Sequence, residues 1–184
     1  MDSLPLIGGP PPDAWILALP LVLPGLFLAL FRRPVLRRMS DLVGYSRSER
    51  LSASLASIVQ YPFWLITIWT PLADSPALLV AGSALYLVGA TAYYVAIVQF
   101  STIPDGQLRT TGLYRRSRHP MYVSASLALI AICLITASAL LTAWLAALLC
   151  FQHVMIRAEE RRCGDKFGDA YAAYCRRVPR YLLI

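Results

Sequence analysis

The sequence predicts an all-α integral membrane protein of about five transmembrane helices, ending in a helical hairpin and an amphipathic cytosolic tail. Three observations carry that prediction. Of 184 residues, 58% are hydrophobic and 15% charged, and the mean hydropathy is +0.58, more apolar surface than a soluble domain of this length can bury. Five apolar runs contain no Asp, Glu, Lys or Arg. All 17 Lys and Arg residues fall in three segments, 32–50, 109–118 and 157–180, and five spans put all three on one side. Four or six spans would split them. Basic loops mark the cytosolic side, so the N-terminus is expected outside and the C-terminus in the cytosol.

Each element follows in order. Residues 1–13 are rich in Pro and Gly and carry no Lys or Arg. They lack the basic start of a signal peptide and read as a short extracytoplasmic tail. Residues 14–31 form the first span; Pro20 and Pro24 each remove a backbone donor, so a kink or a broken first turn is expected. Residues 32–50, with six arginines, form a polar connector in which 35–43 reads as a short interfacial helix. Residues 51–70 are the second span, with Pro62 in its middle and Trp64 and Trp69 toward its far end, as an aromatic belt requires. After a short turn over 71–76 comes the third span, 77–100. Gly82 and Gly89 lie seven apart on one face of it and permit close helix packing, within the chain or between chains. Residues 121–136 and 137–155 are the fourth and fifth spans, joined only by Thr136-Ala137-Ser138, which demands a tight hairpin. Sixteen residues rise about 24 Å against a hydrocarbon core of about 30 Å, so the hairpin is expected not to cross fully. From Arg157 the chain turns polar. The whole reads as one membrane domain, with N-terminal helices over 1–98 and a cofactor-binding catalytic half over 99–184.

Several function classes are excluded. The net charge of +7 sits beside membrane spans rather than on a soluble basic module, so no nucleic-acid partner is expected. Cys133 and Cys150 lie inside apolar runs, while Cys163 and Cys175 lie in the tail placed in the reducing cytosol, so no disulfide is expected. No CxxC or HxxxH spacing is present, and no metal site is expected. The spans hold no charged residue at depth and no pair of matching halves, which argues against a transporter.

Two clusters carry chemistry. The first runs from Gly112 to Tyr122, Gly-Leu-Tyr-Arg-Arg-Ser-Arg-His-Pro-Met-Tyr, far more polar than a helix connection needs. Pro104-Asp105-Gly106 opens the loop with a turn signal, and His119-Pro120 starts the next helix. That helix end offers free N–H groups and a positive dipole, and with Arg118 and His119 it suits a carboxylate or phosphate. The second cluster is His153, Arg157, Glu159 and Glu160. His153, Arg157 and Glu160, at i, i+4 and i+7, share one face, and the bland reading of Arg157 with Glu160 is a surface ion pair of little worth. Glu159 and Glu160 lie about 100° apart on the helix, so one is free to hold a ligand while the other pairs with arginine. Beyond them, Phe167, Tyr171, Tyr174 and Val178 recur at helical period, as an interfacial helix or as a lid over the hairpin.

These residues carry a resemblance. The loop motif, then Glu159-Glu160, then Phe167-Gly168-Asp169-Ala170-Tyr171-Ala172-Ala173-Tyr174, then Arg177-Val178-Pro179-Arg180, is similar in order and spacing to the C-terminal half of the isoprenylcysteine carboxyl methyltransferase family, over residues 99–181. That family shares its fold with membrane phospholipid methyltransferases. The resemblance implies an enzyme that moves a methyl group from S-adenosyl-L-methionine to a lipophilic or lipidated acceptor at the cytosolic membrane face. It implies that Gln99, Gln107, Leu108 and Arg109 line the cofactor pocket, that Tyr114, His119, Pro120, Met121 and Tyr122 contact the cofactor, and that Glu159 binds it. Arg157 would orient the acceptor, and Glu160 or His119 would accept a proton from an amine or thiol acceptor. Ser124 stands where glycine is common in the family and Cys163 where leucine is usual, departures that bear on the acceptor. Two other readings stand beside this one: an NADPH-dependent membrane reductase of related fold, whose relatives carry many more spans, and a non-catalytic membrane scaffold, in which Tyr114, His119 and Glu159 would tolerate alanine.

Overall fold

The structure is a computed structural model, and it describes residues 14–39, 43–104 and 106–182. Among them every regular element is a helix: α1 (Leu19–Phe31), α2 (Arg33–Met39), α3 (Arg47–Ile68), α4 (Pro76–Thr102), α5 (Pro120–Thr136) and α6 (Ala139–Arg177), with 3-10 turns at Ala14–Leu17 and Gly112–Arg115. The expected extracytoplasmic tail over 1–13 lies outside the described residues. The protein is an all-α membrane protein, and α3, α4 and α6 are each long and apolar enough to cross a bilayer. With 17 residues, α5 rises about 26 Å, short of a 30 Å core, as its length implied.

The break expected in the first span is present: a 3-10 turn ends at Leu17 and α1 starts at Leu19. Tyr86 donates its hydroxyl proton to the Leu17 carbonyl and holds that turn against α4. The connector forms α2, shorter than the expected 35–43, of which residues 40–42 lie outside the described residues. Ser46 and Glu49 then start α3 with a reciprocal capping box that satisfies two backbone donors.

The bundle has two distinct ends. At one, the Ala73 N–H donates to the Ile135 carbonyl, which ties the 71–76 turn to the hairpin bend. At the other, the three basic segments meet: Arg161 of α6 forms a two-pronged ion pair with Glu49 of α3, and Arg118 of the loop pairs with Glu160 of α6. This is the partition that the placement of arginines predicts.

The core joins Leu21, Ala56, Phe63 and Tyr86 to Ala128, Ile132, Leu141 and Leu145 across α1, α3, α4, α5 and α6. Its tightest seam is α4 on α5. A Cβ at Gly89 would stand 2.6 Å from the Ala128 amide nitrogen, and one at Gly82 would stand 2.5 Å from Ile135 Cγ1. The glycine stripe is therefore used within the chain.

The last helix differs from expectation. The fifth span does not hand over to a separate tail; α6 runs on past the apolar stretch to Arg177, interrupted only at Gly168, whose φ of 51° and ψ of −126° are not helical. The tail thus turns back on itself at Gly168, and Tyr181 returns to accept or donate a 2.6 Å hydrogen bond with His153 Nδ1. Of the two tail readings, interfacial helix and lid, the geometry is that of a lid.

The two glycines separate in a test. Gly89→Ala meets backbone atoms that cannot step aside, so it is expected to lower stability by about 1–3 kcal/mol, more than the gain in helix propensity returns. Gly82→Ala meets a side-chain atom first, Ile135 Cγ1, and backbone atoms only at 3.2 Å, and is expected to cost less. Thermal unfolding of detergent-solubilised protein checks the order: wild type above Gly82→Ala above Gly89→Ala.

Candidate functional site

The site forms where the loop after α4, the polar part of α6 and the returning tail meet. The loop is set by α4: the Gln99 side-chain carbonyl accepts the Leu113 N–H at 2.9 Å. Gly112, at φ +61°, passes so close that a Cβ would lie 2.4–2.5 Å from the Gln99 amide atoms. Only glycine fits both demands. A 3-10 turn then buries Tyr114, whose carbonyl accepts a 2.6 Å hydrogen bond from the Tyr174 hydroxyl of the tail. Two further bonds fasten loop to tail: Arg118 N–H to the Pro179 carbonyl at 3.0 Å, and Ser117 Oγ to the Arg180 carbonyl at 3.2 Å.

His119 caps α5 with Pro120 at the first helical position, and both are buried. The His119 ring lies between the paired glutamates, with Nε2 3.4 Å from Glu160 Oε1 and Nδ1 3.8 Å from Glu159 Oε2. Their roles separate as their helical spacing required. Glu160 is buried and fully engaged: Arg118 meets Oε1 at 2.9 Å, and Arg180 meets Oε2 at 2.7 and 2.9 Å. Glu160 lies beyond the apolar stretch of α6. Burial by itself would raise its carboxyl pKa, but hydrogen bonds from His119 and Arg180 and the charge of Arg118 outweigh burial and bring it to about 2. Held ionised in this way, Glu160 is a weak proton acceptor; its geometry is that of a brace.

Glu159 is about one-third exposed and faces an aromatic wall. The Tyr122 ring lies 5.9 Å from His119. Burial chiefly, with help from the Glu159 charge, pushes the Tyr45 phenol up to about 12; the Tyr114 phenol is also raised, by burial first, with Arg109 opposing and Glu159 adding. The Glu159 charge thus lies within electrostatic reach of Tyr45, Tyr114 and Tyr122. Tyr45 comes from the connector before α3, in the half of the chain assigned no site, and Arg162 lies over its ring at 5.8 Å. No motif flagged it; a lone aromatic between Gly44 and a capping serine was the only sign.

The remaining expected residues divide. Leu108 packs under the tail with Tyr171, Tyr174 and Val178, and Arg109 lies 3.8 Å over the Phe100 ring. Met121 packs with Val35, Ile97 and Phe100, and Gln107 is exposed. Arg157 does not pair with Glu160 as its spacing suggested: its side chain is exposed, and both Glu160 oxygens are taken by other partners. The stripe from Phe167 to Val178 does pack together, but around the break at Gly168 rather than along one straight helix. Among the described residues, the buried donor Nε of Arg118 has no hydrogen-bond partner.

The family model described as phospholipid methyltransferase matches residues 76–170, just over half of the chain and all of the loop and the glutamate pair. That family sits in the membrane methyltransferase superfamily together with isoprenylcysteine carboxyl methyltransferases. No curated protein and no solved structure matches the chain.

Because Glu160 has a depressed folded-state pKa, the stability it contributes is present above the ordinary value of 4.5 and is lost as pH falls toward 2. Glu160→Gln removes the anion that three partners share and is expected to cost about 2–3 kcal/mol at neutral pH. It should also flatten the acid limb of the stability profile between these two pH values. Thermal unfolding of both proteins against pH checks the size and the direction.

Proposed function

The chain belongs to the phospholipid methyltransferase family and is a membrane methyltransferase, and from that premise we propose that it uses S-adenosyl-L-methionine to methylate a lipophilic acceptor at the cytosolic membrane face. The observation that carries this reading is the carboxylate of Glu159, 3.8 Å from the His119 ring at the N-terminus of α5 and within electrostatic reach of Tyr45, Tyr114 and Tyr122.

The donor set fits the cofactor group by group. S-adenosyl-L-methionine brings a methyl group on a sulfonium cation, together with an ammonium and a carboxylate. Glu159 suits the ammonium. The first N–H groups of α5, with His119 and the unpartnered Arg118 Nε, suit the carboxylate. The tyrosine faces suit a cation by ring quadrupole attraction, strongest where water is excluded. The tail, bonded to the loop at Tyr174 and at the Arg180 carbonyl, covers the buried Tyr114.

Methyl transfer is an in-line displacement in which positive charge is lost, so alignment and dryness carry much of the acceleration. In this reading Glu160 acts as a positioning residue, holding His119 and Arg118 where the loop needs them. An acceptor that is already a carboxylate needs only an orienting cation, the role assigned to Arg157 at the exposed rim. An amine or thiol acceptor gives up a proton, and His119, between the two glutamates, is the group placed to take it.

The test is a thermal shift on detergent-solubilised protein with S-adenosyl-L-methionine, S-adenosylhomocysteine and NADPH in parallel. Either of the first two, at a hundred times its dissociation constant, should stabilise the fold by about 2.7 kcal/mol. Stabilisation by NADPH alone overturns the proposal. Glu159→Ala should weaken cofactor binding by about 10–100-fold through loss of a charged contact. Arg157→Ala should leave cofactor binding intact and lower labelled methyl transfer to the acceptor, assayed with a prenylcysteine and with a phospholipid amine.

A further inference from the structure

A cleft of about 370 Å³ opens between α1 and α4, apart from the methyl-transfer site. Leu23, Phe27, Ile97 and Val98 form its walls, and Arg32 and Ser101 close one end. Three of these wall residues, Leu23, Phe27 and Val98, are half-exposed or more. Pro24 also lines the cleft, and its ring removes a backbone donor from α1.

Two features say what occupies it. The first is depth. From Leu23 to Arg32 the helix rises about 14 Å, half of a 30 Å hydrocarbon core, so the cleft runs from the interface to the middle of one leaflet. That is the reach of a single acyl chain. The second is charge. Residues 14–40 carry Arg32, Arg33, Arg37 and Arg38 and no Asp or Glu, and Arg32 itself forms the polar end of the cleft. An arginine at the headgroup level of an apolar slot selects a phosphate with uncompensated negative charge.

We propose that the α1–α4 cleft binds one anionic phospholipid, with an acyl chain between Phe27 and Val98 and its phosphate on Arg32. The lipid wedges α1 against α4 and is not the methyl acceptor. Ile97, which lines the cleft, also belongs to the small cluster that holds Val35, Phe100 and Met121, so the lipid would buttress the base of the cofactor loop from outside.

Native mass spectrometry of the delipidated full-length chain tests it, with phosphatidylglycerol and phosphatidylcholine of identical acyl chains. One saturable phosphatidylglycerol site is expected, with weaker phosphatidylcholine binding. Arg32→Gln should weaken phosphatidylglycerol about fivefold and leave phosphatidylcholine unchanged. Val98→Trp, at an exposed wall position, should block both lipids while the protein stays folded by thermal unfolding. Arg176→Gln, on the exposed tail, should change neither. Equal loss in Arg32→Gln and Arg176→Gln, or full binding in Val98→Trp, overturns the proposal, as does displacement of the lipid by inorganic phosphate. Because none of these readouts involves S-adenosyl-L-methionine, failure here leaves the methyltransferase reading standing.

Discussion

The carboxylate of Glu160 is the point on which the architecture of the charged end turns. It is buried, and it is shared by a loop arginine, a loop histidine and a tail arginine. A lone carboxylate there would be costly to desolvate and would tend to take up a proton. Three donors reverse that balance and make the same burial an asset, because each partner is then fixed in place by a charge that cannot find water. The loop, the last helix and the tail are three separate stretches of chain, and this one side chain is common to all of them.

The membrane supplies the matching constraint from the other side. Within the bilayer no helix has a charge to pair, so orientation and register come from shape: bare glycine contacts between α4 and α5, and back-bonded hydroxyls such as Thr67 to the Phe63 carbonyl one turn after Pro62. Charge is concentrated where the helices leave the apolar layer. Glu49 with Arg161 ties the start of α3 to α6 at that level and brings the connector, with Tyr45, alongside Glu159. An N-terminal helix pair that looks like mere anchorage thereby supplies part of the aromatic wall.

Much of this was legible in the sequence, for definable reasons. Apolar runs gave the positions of the helices, three of them long enough to cross a bilayer, and arginine placement gave the charged end, because the bilayer enforces both patterns directly. That one of the paired glutamates would be taken up by arginine followed from their helical spacing. What could not be read depends on tertiary contact. The stripe from Phe167 to Val178 keeps a helical period straight through Gly168, so nothing in the pattern announces the reversal there; only the glycine itself permits it. Arg157 and Glu160 sit at a spacing that favours a pair, yet Arg118 and Arg180, remote in sequence, arrive with better geometry. Tyr45 lacked any motif, and its partners lie more than a hundred residues away.

The seam between α4 and α5 has a mechanical corollary. Two helices in backbone contact at Gly89, with no side chain between them to slide or rotate, behave as a single stiff plank. Lateral breathing of the bundle is then left to the helices outside that seam, of which α1 is short and holds Pro24. Any loosening of the bundle then starts beside α1 and not along the glycine seam.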